Sequence, residues 1–483
     1  MNETKPTTTP NTQATGGDFA YMSAVDIAEL VRRRKVSPVE VVRASLERIE
    51  ALEPTLNAFV TLTPELALAD ARRCEKMVMS GADLGPLHGV PISVKDLIAV
   101  GGVRQTFGSV TMKDFVADAD APAVERIKAA GACIVGKTTT TEFGLKGSSD
   151  SPLTGITRNP WDPARTTGGS SAGAGASVAA GATPVALGTD GGGSIRIPSA
   201  FCGLFGIKAQ FGRVPVYPTS ATPTLAHVGP MARTVRDAAV LLRAIAGFDS
   251  RDPAGVSEAV PDFVGACAMP AKSMRIAWSP TLGYATPTPD VTRIATEAVE
   301  VFENLGCEVT EVGHVIDDPF DLWLAEFYAG VGTRLKDTLA TNRGVIDPTL
   351  VDMLAGALDQ PIDDYYAKVF RRYELRERMR KFLNEYDLLV TPTLPVTAFG
   401  IAEPKPPDLP DRNVVNWISY TYPMNLCGVP AASIPCGFTA GGLPVGLQLV
   451  SRVNREVDIF RAAARFEEAK PWADRKPPVT AQT

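Results

Sequence analysis

The sequence predicts an α/β fold in one large domain. Short apolar strands alternate with amphipathic helices through most of the 483 residues, and no linker-like segment divides the chain. Hydrophobic residues make up 45% and charged residues 21%, a balance typical of a globular protein rather than a disordered one. We expect the domain to span residues 21–470, between a disordered tail at 1–20 and a Pro-rich tail at 471–483.

Helical and strand periodicities place the elements of this domain in order. Two short helices are predicted within 24–51, broken at Ser37-Pro38, where Ser37 can cap the second helix and Pro38 suits its first turn. Further helices are predicted at 122–130, 172–180, 291–305 and 457–464. Strands are predicted at 91–95, 133–135, 184–187, 307–312, 387–392, 431–435 and 444–450. The helix at 172–180 is built of small residues, which favours close packing on a sheet.

Charge and hydropathy exclude several classes of protein. The formal net charge is −6, the isoelectric point is near 5.4 and no basic run occurs, so we expect no nucleic-acid partner. No segment is long and apolar enough to span a membrane, and residues 1–19 lack the apolar core of a secretory signal. The uncharged stretch at 166–189 consists mainly of Gly, Ser, Thr and Ala rather than Leu, Ile and Phe, so it is not expected to span a membrane.

Cysteine and histidine usage indicates a cytoplasmic protein without a metal. The seven cysteines are odd in number, scattered and never in C-x-x-C spacing, which favours reduced thiols over disulfides or a zinc site. With only three histidines, a His-rich metal centre is excluded. We therefore expect no metal and no cofactor.

Residues 131–138 formally match the phosphate-binding loop G-x-x-x-x-G-K-[ST]. That loop follows a strand and opens a helix. Here the middle residues are apolar and partly β-branched, and therefore predict a buried strand themselves. A nucleotide-binding protein therefore stays open only as the third of three alternatives, and it depends on this motif match alone.

Residues 169–173 match G-x-S-x-G, the nucleophile elbow of α/β-hydrolases, with Ser171 as the candidate nucleophile. An elbow sits at the end of a buried strand, whereas the preceding residues, RNPWDPARTTG, predict no strand. A serine enzyme of this type also needs a downstream histidine, and only His227 and His314 are available. The elbow is therefore disfavoured.

Three Gly- and Ser-rich segments surround one lysine and two separate serine sites. They are LHGVPISVKDL (87–97), TTGGSSAGAGASVAAG (166–181) and ALGTDGGGSIRIPSAFCGLFGIK (186–208). Together they resemble the amidase signature family, with its GGSS and GTD-x-GGSIR patterns and its upstream lysine. The resemblance continues through 136–144, 159–163, 229–239, 422–438 and 442–450, and covers about residues 22–470. It implies a central mixed β-sheet covered by helices.

The resemblance also implies a catalytic triad. Ser194 corresponds to the nucleophile, Ser170 to a bridging serine after a cis Gly169–Ser170 bond, and Lys95 to the base. A serine hydroxyl needs a base to become a good nucleophile, and a lysine serves only when neutral, which burial favours. Asp96 follows Lys95, but successive strand side chains point to opposite faces, so we do not expect the two to pair.

The backbone around these side chains is expected to contact substrate. The amides of Gly191, Gly192, Gly193 and Ser194 correspond to the family's oxyanion hole. Gly144, within the segment 142–149, is expected to contact the acyl side of the substrate. Gly191 stands where family members often carry a larger residue such as Thr, which is expected to widen the pocket. Asp190 and Arg196 are expected to hold this loop in place.

The resemblance implies a serine-dependent amidohydrolase that forms an acyl-enzyme on Ser194. We expect small hydrophobic aryl or alkyl amides as substrates, with esters and carbamates left open. The alternative is a glutaminase-type subunit that delivers ammonia to a partner in a transamidation complex, although the RYDG-like segment of that branch is missing. The aromatic residues between 315 and 420 are expected to be mostly core, with some facing the substrate. A homodimer is left open.

Overall fold

A computed structural model describes residues 19–480, which form fifteen α-helices and fifteen β-strands. The helices are α1 (Ala24–Arg32), α2 (Pro38–Leu56), α3 (Pro64–Ser80), α4 (Pro122–Ala129), α5 (Ala172–Ala179), α6 (Arg196–Cys202), α7 (Val235–Ile245), α8 (Phe263–Ala266), α9 (Pro289–Asn304), α10 (Phe320–Arg334), α11 (Lys336–Thr341), α12 (Val351–Leu358), α13 (Ile362–Glu385), α14 (Tyr422–Cys427) and α15 (Glu456–Ala469). The strands are β1 (Phe59–Leu62), β2 (Pro91–Lys95), β3 (Cys133–Thr138), β4 (Asp150–Ser151), β5 (Gly155–Ile156), β6 (Arg158–Asn159), β7 (Asp162–Thr166), β8 (Val185–Asp190), β9 (Phe205–Lys208), β10 (His227–Ala232), β11 (Arg275–Trp278), β12 (Glu308–Glu311), β13 (Leu388–Pro392), β14 (Ala431–Phe438) and β15 (Pro444–Val450).

Eleven strands form one sheet in the order β1-β3-β2-β8-β10-β9-β14-β15-β13-β11-β12. The pairs β2–β3, β2–β8, β11–β12 and β11–β13 are parallel, and the remaining pairs are antiparallel. The predicted mixed sheet is therefore confirmed. Two small hairpins, β4–β5 and β6–β7, lie outside it.

Helices cover both faces of the central sheet. Leu388 and Val390 of β13 join the hydrophobic cluster that includes residues of α1, α4, α7, α9 and α15. Leu389, between them, joins a second cluster with residues of α6, α10, α12, α13 and α14. This alternation along one strand is expected because successive side chains point to opposite faces. The sheet is thus buried between two layers.

Each helix and strand named in the sequence analysis is present, with small shifts at its ends. Ser37 caps α2 with a reciprocal capping box, in which Glu40 accepts from the Ser37 amide. The strand predicted at 133–135 extends to Thr138, so the apparent phosphate loop is strand β3. One prediction is wrong: residues before Ser171 form the short hairpin β6–β7, although it lies outside the central sheet.

Residues near both ends of the described chain pack on the domain. The tail predicted at 1–20 falls on residues outside the described part, except for Phe19 and Ala20, and Phe19 packs against the core. Residues 471–480 are not separate from the domain, since Trp472 is buried and its indole donates to the Arg233 carbonyl at 2.8 Å.

All seven cysteines are buried and free of disulfides. Within 19–480, no helix is long and apolar enough to cross a bilayer.

Candidate active site

The site lies where the parallel strands β2 and β8 end. Lys95 is the last residue of β2, and its neighbour β8 ends at Asp190, directly before the glycine run. Because parallel strands present their carboxyl ends at the same edge, Lys95 and the glycine run meet there. The pairing Val94–Leu187 sets this register.

Lys95 is fully buried and lies in a polar pocket of hydroxyl groups. Its Nζ donates to Ser170 Oγ at 2.7 Å and to Thr189 Oγ1 at 2.8 Å. Burial lowers the pKa of Lys95 well below its usual value, and the charge of Asp190 opposes this only in part. The environment therefore favours the neutral amine. Thr189 is a partner that the sequence analysis missed, although it stands in the GTD run.

Ser170 reaches Lys95 through the backbone geometry at the start of α5. The Gly169–Ser170 peptide bond is cis, as the family resemblance implied. Helix α5 packs close to the sheet because it is built of small residues: a Cβ on Gly173 would lie 2.0 Å from the Ala58 carbonyl oxygen. Ser171, the elbow candidate, is buried, and its hydroxyl bonds to the backbone of Thr189.

Ser194 faces a pocket with about 250 Å³ of atom-free space, including its mouth. Its hydroxyl makes no hydrogen bond to another residue in the range 19–480, and the residue is 9% exposed. The pocket is lined by Gly144, Leu145, Lys146, Gly147, Gly192, Ser194, Ile197, Trp323, Phe327, Val415 and Ile418. Most of these side chains are apolar, and Ser194 is the only hydroxyl among them. A serine so placed is free to meet a bound substrate.

The segment 142–149 contributes four residues to this pocket, and its contact with the acyl side of a substrate stays a prediction. Gly144 has φ +77°, and a Cβ there would lie 3.2 Å from Ser170 Oγ and 2.9 Å from Leu97 Cδ1. Only glycine tolerates both this backbone conformation and this approach. Lys146 also lines the pocket, but its Nζ is paired with Asp347 and with Asp150, the latter at 2.7 Å.

The backbone amides of the glycine run are not equivalent. The Gly193 amide donates to Asp190 Oδ1 at 2.8 Å and is therefore occupied. The amides of Gly191, Gly192 and Ser194 have no acceptor within residues 19–480, which leaves three donors where four were expected. The missing side chain at Gly191 does not widen the pocket, because the Phe327 ring occupies the space that a side chain would need. A Cβ on Gly191 would lie 2.8 Å from Phe327 Cε2.

Asp190 and Arg196 hold this run from behind. Both are fully buried, and Arg196 Nη2 donates to Asp190 Oδ1 at 2.9 Å. Arg196 also donates to the Gln448 and Asn425 side-chain oxygens and to the Thr421 carbonyl. Burial opposes ionisation of Asp190, but Arg196 outweighs it and keeps the pKa of this carboxyl well below its usual range.

His227, considered above as the partner of an elbow serine, is engaged elsewhere. Its Nδ1 lies 2.7 Å from the Leu225 carbonyl and 3.1 Å from the Asp190 carbonyl, and its Nε2 lies 3.4 Å from Lys208 Nζ. Burial lowers the pKa of His227 well below its usual value and that of Lys208 to about 7. His314 is more than half exposed and close to Asp317. Neither histidine serves Ser194 or Ser171.

Two aromatic residues of α10 reach the site. Trp323 and Phe327 stack with ring centroids 4.6 Å apart and line the pocket. Two other aromatics of this region have different partners: Tyr328 donates to the Leu145 carbonyl, and Trp417 is buried against Phe201. Val415 and Ile418 were not foreseen as lining residues, since only their loop conformation brings them to the pocket. Among residues 19–480, no cluster of three or more His, Cys, Asp or Glu side chains could hold a metal.

Sequence comparisons find relatives over most of the chain. The Amidase family profile matches residues 40–460. An acylamidase from Rhodococcus erythropolis is 38% identical over 466 residues, covering 95% of this chain and 97% of that protein. A glutamyl-tRNA(Gln) amidotransferase subunit from Geobacter sp. (strain M21) is 36% identical over 480 residues, covering 94% of this chain and 98% of that protein.

A solved structure is also similar along the whole chain. A bacterial aryl acylamidase of the amidase signature family superposes with a TM-score of 0.91 at 30% identity, covering 97% of this chain and 100% of that one. The family resemblance drawn from the Gly- and Ser-rich segments is thereby confirmed. The chain belongs to the amidase signature family and is an amide-hydrolysing enzyme.

Proposed function

We propose that the enzyme cleaves hydrophobic aryl or alkyl amides through an acyl-enzyme on Ser194. The observation that carries this proposal is the contact of 2.7 Å between Lys95 Nζ and Ser170 Oγ, together with the unengaged hydroxyl of Ser194 in an apolar pocket. The acylamidase and the aryl acylamidase among its relatives support the same substrate class.

In our proposal, these three side chains form a proton relay. Neutral Lys95 accepts a proton from Ser170 while Ser170 accepts one from Ser194, whose oxygen bonds to the amide carbonyl carbon. The tetrahedral intermediate collapses as the C–N bond breaks, and Lys95 returns its proton through Ser170 to the leaving nitrogen. Water then attacks the Ser194 ester, losing a proton to the same relay, and the acid is released as Ser194 regains its hydrogen.

The carbonyl oxygen becomes negatively charged in this reaction and needs donors. The free amides of Gly191, Gly192 and Ser194 supply them in our proposal, whereas Gly193 shapes the loop through its bond to Asp190. Backbone donors aimed at a developing oxyanion account for much of the rate in acyl transfer, and one lost donor typically costs about 10²–10³-fold in kcat.

Pocket chemistry favours hydrophobic substrates over glutamine. Ile197, Trp323, Phe327 and Ile418 offer apolar surface and no hydrogen-bonding partner for a second amide. The charge of Lys146 is satisfied by Asp150 and Asp347. A glutaminase-type subunit stays as the second candidate, since the amidotransferase subunit from Geobacter is 36% identical to this chain. Esters and carbamates fit the same relay.

A substrate panel with one purified sample tests the proposal. We expect release of amine from 4-nitroanilides and alkyl amides, and no release of ammonia from L-glutamine. Rapid acid quench followed by mass spectrometry should detect the acyl group on the peptide that contains Ser194. Ser194→Ala serves as the matched control and should give neither product nor adduct. Hydrolysis of glutamine with inert anilides would favour the second candidate instead.

A further inference from the structure

The free amides of Gly191, Gly192 and Ser194 each belong to a peptide group whose carbonyl oxygen accepts a hydrogen bond from another part of the chain. The Asp190 carbonyl, which shares a peptide with the Gly191 amide, accepts from Asn425 Nδ2 at 3.1 Å. The Gly193 carbonyl, which shares one with the Ser194 amide, accepts from the Ile197 amide at 2.7 Å. The Gly191 carbonyl, which shares one with the Gly192 amide, accepts from Trp323 Nε1 at 2.9 Å.

We propose that Trp323 is a positioning residue, which aims the Gly192 amide at the oxyanion through its bond to the Gly191 carbonyl. This inference rests on the proposed acyl-transfer function. It adds a role for one side chain of α10, outside the Gly- and Ser-rich segments that carry the family resemblance.

Peptide geometry explains how an indole can act on an amide that it does not touch. A peptide bond is planar, and in the trans form its N–H and C=O point in opposite directions. The Gly191–Gly192 bond is not among the cis bonds of the described chain. Holding the carbonyl oxygen on one side therefore fixes the direction of the N–H on the other. A donor at the carbonyl also polarises the peptide and strengthens its N–H as a donor.

A glycine peptide needs such support more than others do. Gly192 has no side chain to limit rotation of its flanking bonds, so an unsupported Gly191–Gly192 plane could turn away from the substrate. The indole also lies over Gly192, where a Cβ would be 2.5 Å from Trp323 Cζ2. Its own position is set by stacking on Phe327 and by Tyr422, whose ring centroid lies 5.6 Å away.

The Gly192–Gly193 peptide provides an internal contrast. Its carbonyl is held by Thr421 Oγ1 at 2.6 Å, but its N–H donates to Asp190 and is unavailable to substrate. Thr421 therefore shapes the loop, whereas Trp323 acts on a peptide whose N–H is free. We therefore assign a role in orienting an oxyanion donor to Trp323 and not to Thr421.

Replacing the indole donor while keeping an aromatic ring tests the inference. For Trp323→Phe we expect kcat on a 4-nitroanilide to fall about tenfold while KM changes less than about threefold, because a donor that acts on the transition state leaves ground-state binding intact. Phenylboronic acid, which forms a tetrahedral adduct with a serine oxygen, should bind about tenfold more weakly, in parallel with kcat/KM.

Two further variants separate positioning from packing. Benzothienylalanine at position 323 keeps the bicyclic shape and replaces the N–H by sulfur, so it should reproduce the loss in kcat without a loss of stability. Phe327→Leu removes pocket surface but keeps the indole N–H and the Tyr422 ring that stacks on it, so it should raise KM and should lower kcat less than Trp323→Phe does.

Turnover and boronate affinity together decide the outcome. If Trp323→Phe or the benzothienyl variant keeps kcat and boronate affinity within twofold of wild type, or loses activity through KM alone, the positioning role is overturned. If wild-type protein neither cleaves the anilide nor forms an adduct on Ser194, the proposed function fails first, and the positioning role fails with it.

Discussion

Asp96 and Lys137 form a fully buried ion pair, with Asp96 Oδ1 3.3 Å from Lys137 Nζ. The other oxygen of Asp96 accepts from the backbone and hydroxyl of Thr106. The carboxylate that follows Lys95 in sequence is thus committed to other partners, as strand alternation predicted. The carboxylate whose charge raises the pKa of Lys95 is Asp190, and Asp190 forms an ion pair with Arg196. This division of charges lets Lys95 lie buried without a carboxylate of its own.

Lys95 should control the acidic limb of the pH–rate profile. Protonated lysine cannot accept a proton, so kcat/KM should rise with pH through the pKa of Lys95 in the free enzyme. Because burial lowers that pKa well below 10.5, the plateau should be reached well before pH 10.5. A profile on a 4-nitroanilide between pH 5 and pH 10 measures it.

Substitution of Lys95 by arginine provides the matched control. Lys95→Ala should remove most activity, and Lys95→Arg should fare no better because a guanidinium stays protonated. Circular dichroism would verify that both variants are folded. Near wild-type turnover by Lys95→Arg would exclude the relay.

A fluorophosphonate should label Ser194 and leave Ser171 unlabelled. Ser194 faces the pocket, whereas Ser171 is buried and bonds to the Thr189 backbone. Peptide mapping after labelling identifies the modified residue. Ser194→Ala should abolish labelling, and Ser170→Ala should slow it by a smaller factor because water can replace a bridging hydroxyl. An adduct on Ser171 would instead support the elbow.

Gly191→Thr should lower activity because the added side chain meets a ring. A Cβ at Gly191 would lie 2.8 Å from Phe327 Cε2, so Phe327 or the loop must move. Overpacking of this kind typically costs about 1–3 kcal/mol. Urea denaturation and kcat/KM would measure both effects.

The double variant Gly191→Thr, Phe327→Ala tests the cause of that loss. Removing the ring should restore part of the activity lost by Gly191→Thr, a coupling expected only for residues in contact. Additive losses would mean that Phe327 is not what excludes a larger residue at position 191.

Arg196→Met should destabilise the fold strongly. It leaves the Asp190 carboxylate buried without its partner, and breaking a buried ion pair in this way typically costs about 3–5 kcal/mol. Adding Asp190→Asn should recover part of this cost, since the amide carries no charge to compensate. Urea denaturation midpoints at constant m-value would show it. Equal stability of Arg196→Met and wild type would contradict the assigned role of the pair.

Local sequence patterns predicted thirteen of the thirty helices and strands, namely those whose causes are local. Ser37 and Pro38 start α2 by capping and by a preset φ, and the small residues of α5 allow close approach to the sheet wherever the helix lies. The short hairpin β6–β7 was missed because residues 158–166 lack the apolar alternation typical of strands. Family resemblance, rather than periodicity, supplied the mixed sheet and the candidate triad.

By itself, the sequence determined the α/β class, the family and the three candidate catalytic residues, since these depend on short motifs and local periodicity. Only the tertiary structure decided which partners those residues meet. Thr189 beside Lys95, Asp190 on the Gly193 amide and Trp323 on the Gly191 carbonyl are contacts that depend on how the chain folds. The last spans 132 residues, and only the packing of α10 over the glycine run brings its two atoms together. Hydrogen bonds act over about 3 Å, so no sequence spacing could specify them.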